Sequence, residues 1–80
     1  MSATITVCHR PELGEAVRHY ELDCHHATTR ITMIPGRAPF KAEDAVRLLL
    51  LRHFAGTPCT CIRRLWRKHL GAEQPEVRLA

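Results

Sequence analysis

Residues 57–71 read TPCTCIRRLWRKHLG, and this stretch decides the fold because it joins two cysteines to the last helix of the chain. Its inward-facing residues recur at three- and four-residue intervals: Cys61, Ile62, Leu65, Trp66, His69 and Leu70. This spacing predicts a helix with one apolar face. Pro58 suits the first turn of that helix, and Gly71 suits its end.

The two cysteines of this stretch limit where the helix can begin. Residues two apart on a helix point about 200° away from each other, so Cys59 and Cys61 cannot share an ion while both are helical. We therefore expect an extended turn over residues 58–60, with the helix beginning near Cys61. Either Thr57 or Thr60 can cap it. The positive end of the helix would stabilise both thiolates.

A second helical pattern lies upstream, from about residue 40 to residue 55. Glu43 and Asp44 fall in its first turn, and Gly56 ends it. Beyond the inward face, Leu48 and Leu51 belong to a second apolar stripe. A chain of 80 residues rarely covers a helix on all sides. The stripe predicts a partner surface, most simply a homodimer contact, unless the sheet or the C-terminal tail covers it.

The first half of the chain contains three stretches of alternating residues, over 4–9, 18–24 and 29–34, which predict short strands. In the second stretch Tyr20, Leu22 and Cys24 share one face. The expected fold class is therefore α+β: a small three-stranded antiparallel sheet followed by two helices. We expect residues 1–71 to form a single small zinc-binding domain. Residues 72–80 have no periodicity, so we expect a flexible C-terminal tail there.

Eighty residues, 9.1 kDa, make a small domain whose core needs support. A chain of this length buries only about 60% of the surface that its unfolded form exposes, and small domains often add a metal or disulfides. The sequence contains four cysteines and six histidines. We therefore predict a zinc-stabilised fold with one structural ion bound by Cys8, Cys24, Cys59 and Cys61.

Other interpretations of the cysteines stay open. His9, His25 or His69 can replace one cysteine as a ligand. Disulfides would require an oxidising compartment, and unmetallated cysteines would simply fill the core. No secretory leader and no membrane span is recognisable, so we expect a cytoplasmic protein with no membrane partner.

Binding, and not catalysis, is the predicted activity. The acidic residues are scattered, the only serine is Ser2, and no glycine-rich phosphate loop is present. The net charge of +4 favours a polyanionic partner. Opposite the apolar face of the last helix lie four cations, with no acidic residue among them: Arg63, Arg64, Arg67 and Lys68.

These four cations predict a nucleic-acid-binding protein, with DNA the expected target, that acts as a transcriptional regulator or accessory factor. The alternatives are a solvated basic face and an adaptor that binds an acidic protein surface. Such an adaptor would modulate a larger enzyme, such as a polymerase. A third class is a metal-handling protein that exchanges zinc through His25 and His26.

Overall fold

A computed structural model describes residues 3–14, 16–34, 36–37 and 41–77 of the chain. It confirms the predicted fold class, a three-stranded antiparallel sheet followed by two helices. The elements are β1 (Thr4–His9), β2 (Arg18–Asp23), β3 (Thr28–Met33), α1 (Ala42–Gly56) and α2 (Arg63–Leu70). The strands differ from their predicted bounds by at most one residue at an end. The predicted start of the first helix at residue 40 lies outside the described residues.

The sheet buries one face, as its alternating sequence predicts. The strand order is β1-β2-β3, and Tyr20 of β2 lies between Val7 and Ile31 of the neighbouring strands. Tyr20, Leu22 and Ile31 are buried on the face that α1 covers. β1 lies at an edge, and Val7 remains 51% exposed. Helix α1 therefore packs on β2 and β3, and α2 packs on α1.

The core forms where α1 and the start of α2 meet this sheet. The fully buried side chains are Leu22, Leu49, Leu50, His53 and Ile62. Trp66 of α2 packs edge-on against Phe54 of α1, with ring centroids 5.4 Å apart. Neither helix has the length and apolar character needed to cross a membrane, among the residues described.

Helix α2 begins two residues later than expected, at Arg63. Cys61 and Ile62 form a turn before it, and neither predicted threonine caps the helix through its side chain. The carbonyl of Thr60 instead accepts a hydrogen bond from the Arg63 N–H (3.2 Å). Eight residues are too few for a stable helix in isolation, so tertiary contacts must stabilise α2.

The far end of α2 is attached to α1. Arg47 donates its Nε–H to the carbonyl of His69 (2.9 Å), and His69 donates its Nδ1–H to Glu43 (3.2 Å). Gly71 ends the helix in the left-handed conformation, with φ of 66°. After it, Gln74 donates Nε2–H to the Cys59 carbonyl (2.9 Å), so part of the predicted tail contacts the domain. Residues 78–80 lie outside the described part of the chain.

The second apolar stripe of α1 is only partly free. Leu48 packs against the core, whereas Leu51 is 49% exposed. A homodimer contact through Leu48 and Leu51 stays a prediction, with Leu51 as its accessible part.

Leu49 and Leu51 offer a matched pair for testing the core. We expect Leu49→Ala to lower the free energy of unfolding by about 2–5 kcal/mol, because it opens a cavity beneath β2 and β3. Leu51→Ala should change it by less than about 0.5 kcal/mol. Urea denaturation followed by circular dichroism measures both. Equal losses would contradict the observed packing of α1.

Candidate metal centre

Two turns at one end of the domain bring four metal-ligand atoms together. The hairpin turn between β2 and β3 carries Cys24 and His26, and the Cys24 N–H closes it on the Ala27 carbonyl (3.0 Å). The connection between α1 and α2 carries Cys59 and Cys61. The sulfur atoms of the three cysteines and a ring nitrogen of His26 all lie within 4.8 Å of one another. These four residues can hold a metal ion.

The separations of these donor atoms suit a tetrahedral ion. Cys24 Sγ lies 3.9 Å from Cys59 Sγ and 4.0 Å from His26 Nδ1, and Cys61 Sγ lies 3.5 Å from the same nitrogen. An ion bound at about 2.3 Å from sulfur and about 2.0–2.1 Å from nitrogen would place tetrahedral ligands roughly 3.5–3.8 Å apart. Only small side-chain shifts separate the cluster from that geometry.

The predicted ligand set needs one correction, because Cys8 lies outside the cluster. Cys8 is exposed on β1, opposite His19 of β2. His19 precedes Cys24 by five positions, which is about 16 Å along a strand. Antiparallel pairing places the end of β1 beside the start of β2. Cys8 and Cys24 therefore lie at opposite ends of the sheet, although each lies at or near the end of its own strand.

The fourth donor is His26, which the sequence suggested only for zinc exchange in a metal-handling protein and not as a ligand of the structural ion. The sequence contains a pattern that indicates this role, because Cys24 and His26 have the same one-residue spacing as Cys59 and Cys61. The three histidines that were considered lie elsewhere. His9 is at the end of β1, His69 binds Glu43, and the exposed ring of His25 contacts that of His26 edge-on.

The three cysteines of the cluster are free thiols in the structure. All four cysteines of the chain are free, and the 3.9 Å between Cys24 Sγ and Cys59 Sγ far exceeds a disulfide length of about 2.05 Å. Neither Cys59 nor Cys61 is helical, which the binding of one ion by both residues requires. Both cysteines are buried, so their packing excludes most solvent from one side of the cluster.

The thiols of this cluster differ in acidity. Burial raises the pKa of Cys59 to about 11, and the neighbouring thiols add to the increase. Burial also acts against ionisation of Cys24, but hydrogen bonds from the backbone of His26 and Ala27 outweigh it and lower the pKa of Cys24. The His26 N–H lies 3.3 Å from Cys24 Sγ. Cys24 therefore ionises more readily than Cys59.

His53, in the last turn of α1, lies directly behind Cys24. It is fully buried, and its Nε2 is 3.2 Å from Cys24 Sγ. Its Nδ1 is 2.8 Å from the hydroxyl of Thr29 on β3. Burial, with a smaller contribution from the charge of His26, lowers the pKa of His53 and favours the neutral ring.

The four predicted nucleic-acid-binding residues lie on the exposed side of α2, and we call them the basic face: Arg63, Arg64, Arg67 and Lys68. Arg67 forms an ion pair with Glu73. No ion pair is formed by the other three cations with any residue that the structure describes. The basic face begins two residues after Cys61.

In comparisons with protein-family models, with curated proteins and with solved structures, nothing matches this chain. The cluster and the basic face are therefore the features that bear on its function.

Proposed function

We propose that the chain is a zinc-stabilised domain that binds nucleic acid, with DNA as the expected target, through the basic face. Three thiolates and one imidazole form a donor set that suits Zn²⁺. Four protein ligands leave no open coordination position, which is typical of a structural ion and not of a catalytic one. A reducing compartment such as the cytoplasm keeps these thiols available for metal.

The observation that carries this proposal is the position of the basic face next to the metal cluster. Cys59 and Cys61 fix the turn that leads into α2, and the hydrogen bond from Arg47 to the His69 carbonyl fixes its other end. A short helix that is fixed at both ends presents its cations in a defined arrangement. Pre-organised cations bind a polyanion with less loss of side-chain and backbone entropy.

The dimensions of α2 suit a groove of DNA. An α-helix with its side chains is about 10–12 Å in diameter, and the major groove is about 12 Å wide. Arg63 and Arg64 can pair with phosphates or guanine edges through their planar guanidinium groups. A regulator or accessory factor of transcription fits a small protein with this activity. Binding of an acidic protein surface by the same face remains the alternative.

A salt titration tests the proposal. The logarithm of the affinity for duplex DNA should fall with the logarithm of salt concentration, with a slope of about −0.9 for each phosphate contacted. Three or four contacts predict a loss of roughly 100-fold between 50 and 200 mM salt. Fluorescence anisotropy of a labelled duplex measures the slope.

Polyglutamate serves as the competitor in the same titration. It carries negative charge without phosphates or base edges. If it displaces the protein as well as unlabelled duplex does at equal charge, the acidic-surface alternative is favoured. Affinity that does not change with salt would contradict binding through the basic face.

A further inference from the structure

A buried histidine connects the metal cluster to the core of the domain. His53 has no exposed surface, and both of its ring nitrogens have a partner. One nitrogen contacts Cys24 in the hairpin turn, and the other contacts Thr29 on β3. A single ring therefore links α1, β3 and the metal-binding turn.

The chemistry of the two partners determines which ring nitrogen carries the hydrogen. A metal-bound thiolate can only accept a hydrogen bond, whereas the threonine hydroxyl can donate or accept. A neutral ring has one N–H, so the arrangement that satisfies both contacts puts that hydrogen on Nε2. Thr29 then donates its hydroxyl hydrogen to Nδ1, and His53 donates Nε2–H to Cys24.

The distances separate this role from that of a fifth ligand. His53 is not among the four residues whose donor atoms all lie within 4.8 Å of one another. Its Nε2 lies 3.2 Å from Cys24 Sγ. It is a normal separation for an N–H to sulfur hydrogen bond. The His26 ring nitrogen completes the set of four donors.

We propose that His53 is a positioning residue of the metal centre, which holds Cys24 by donating Nε2–H to its thiolate while Thr29 fixes the tautomer of the ring. The inference rests on the zinc centre proposed above and is independent of nucleic-acid binding. Three thiolates carry more negative charge than one Zn²⁺ neutralises, so a hydrogen bond to sulfur stabilises the loaded centre. The buried ring also orients the Cys24 side chain before the ion arrives.

Two pairs of variants test this role by competition with a chromogenic zinc chelator. His53→Leu removes the donor, and the zinc dissociation constant should rise by about 10- to 100-fold. His53→Gln places an amide N–H near the position of Nε2 and should restore part of the affinity. Thr29→Val removes the group that fixes the tautomer and should weaken zinc binding, whereas Thr29→Ser should retain the wild-type value.

Two spectroscopic measurements on loaded protein keep the test independent of variant stability. Long-range ¹H–¹⁵N correlation spectra of the zinc form should show the Nε2–H tautomer for His53. In the Co²⁺ form of His53→Leu, the sulfur-to-metal charge-transfer bands should shift, because the thiolate loses a hydrogen bond. The ligand-field bands should still be those of a tetrahedral site.

The outcomes separate the role of His53 from the metal centre itself. If wild-type protein binds no zinc, both the zinc centre and the positioning role of His53 are wrong. Zinc binding that is the same in wild type and in both the His53→Leu and Thr29→Val variants would overturn only the positioning role. An Nδ1–H tautomer would overturn it as well. A direct ¹¹³Cd coupling to a His53 nitrogen would instead make His53 a ligand.

Discussion

Removal of the metal ion is expected to unfold the domain, with loss of cooperative thermal melting and of most of the helical circular dichroism. The two turns contact each other through the metal-ligand side chains: Cys24 lies against Cys59, and His26 lies against Cys61. A structural zinc ion supplies about 10–16 kcal/mol in small domains, whereas a domain is stable by only about 5–15 kcal/mol in total. Circular dichroism before and after a chelator, with native mass spectrometry of the same samples, measures the effect.

Substitution of single cysteines locates the ion. Cys59→Ser and Cys61→Ser should each prevent stoichiometric zinc binding and leave the protein largely unfolded. Cys8→Ser is the matched control: it makes the same chemical change at an exposed position on β1, and it should keep both zinc and the melting temperature. Loss of zinc in Cys8→Ser would restore the ligand set expected from the sequence. A chelated protein that still melts cooperatively would contradict a structural role for the ion.

Reversal of two charges on α2 should abolish nucleic-acid binding. Arg63→Glu with Arg64→Glu removes two cations and adds two anions at the start of the basic face. At physiological salt, loss of two phosphate contacts costs roughly 30-fold in affinity, and repulsion should bring the total loss to about 100-fold or more. Both side chains are exposed, so the fold and the zinc content should not change. Fluorescence anisotropy of a labelled duplex measures the loss.

A second double variant separates the basic face from net charge. Arg37→Glu with Arg52→Glu makes the same change in net charge at two exposed positions outside α2. It should weaken DNA binding by much less than the reversal on α2. If both double variants weaken binding equally, the protein attracts DNA through its overall charge and α2 has no special role. If neither double variant weakens DNA binding, the proposal that α2 binds nucleic acid is wrong.

The sequence predicted the local elements well because each depends on neighbouring residues. Alternation over residues 4–9 and 18–24 predicted β1 and β2, and the buried residues Tyr20 and Leu22 lie on the expected face. The burial of Leu49 and Trp66 also follows from helical spacing. The start of α2 was misplaced because neither expected threonine caps it, and the turn through Cys61 and Ile62 delays the first helical residue.

The metal cluster was predicted in part. Cys24, Cys59 and Cys61 come together as expected, but Cys8 does not, because antiparallel pairing places it at the opposite end of the sheet from Cys24. The role of His26 as the fourth ligand was not predicted, although Cys24 and His26 have the same one-residue spacing as Cys59 and Cys61. The spacing of cysteines and histidines along the chain does not show which of them come together, because strand register and hairpin geometry decide which ligand atoms are close in space.

By itself, the sequence determined the three strands, the two helices, the need for non-helical backbone at Cys59 and Cys61, and the cations on one side of α2. These features follow from local steric limits and from the periodicity of strands and helices, which depend on residues a few positions apart. Only the tertiary structure decided that His26 and not Cys8 completes the cluster, and that His53 lies between Cys24 and Thr29. Those contacts join residues far apart in the chain, and the packing of α1 on the sheet sets their distances.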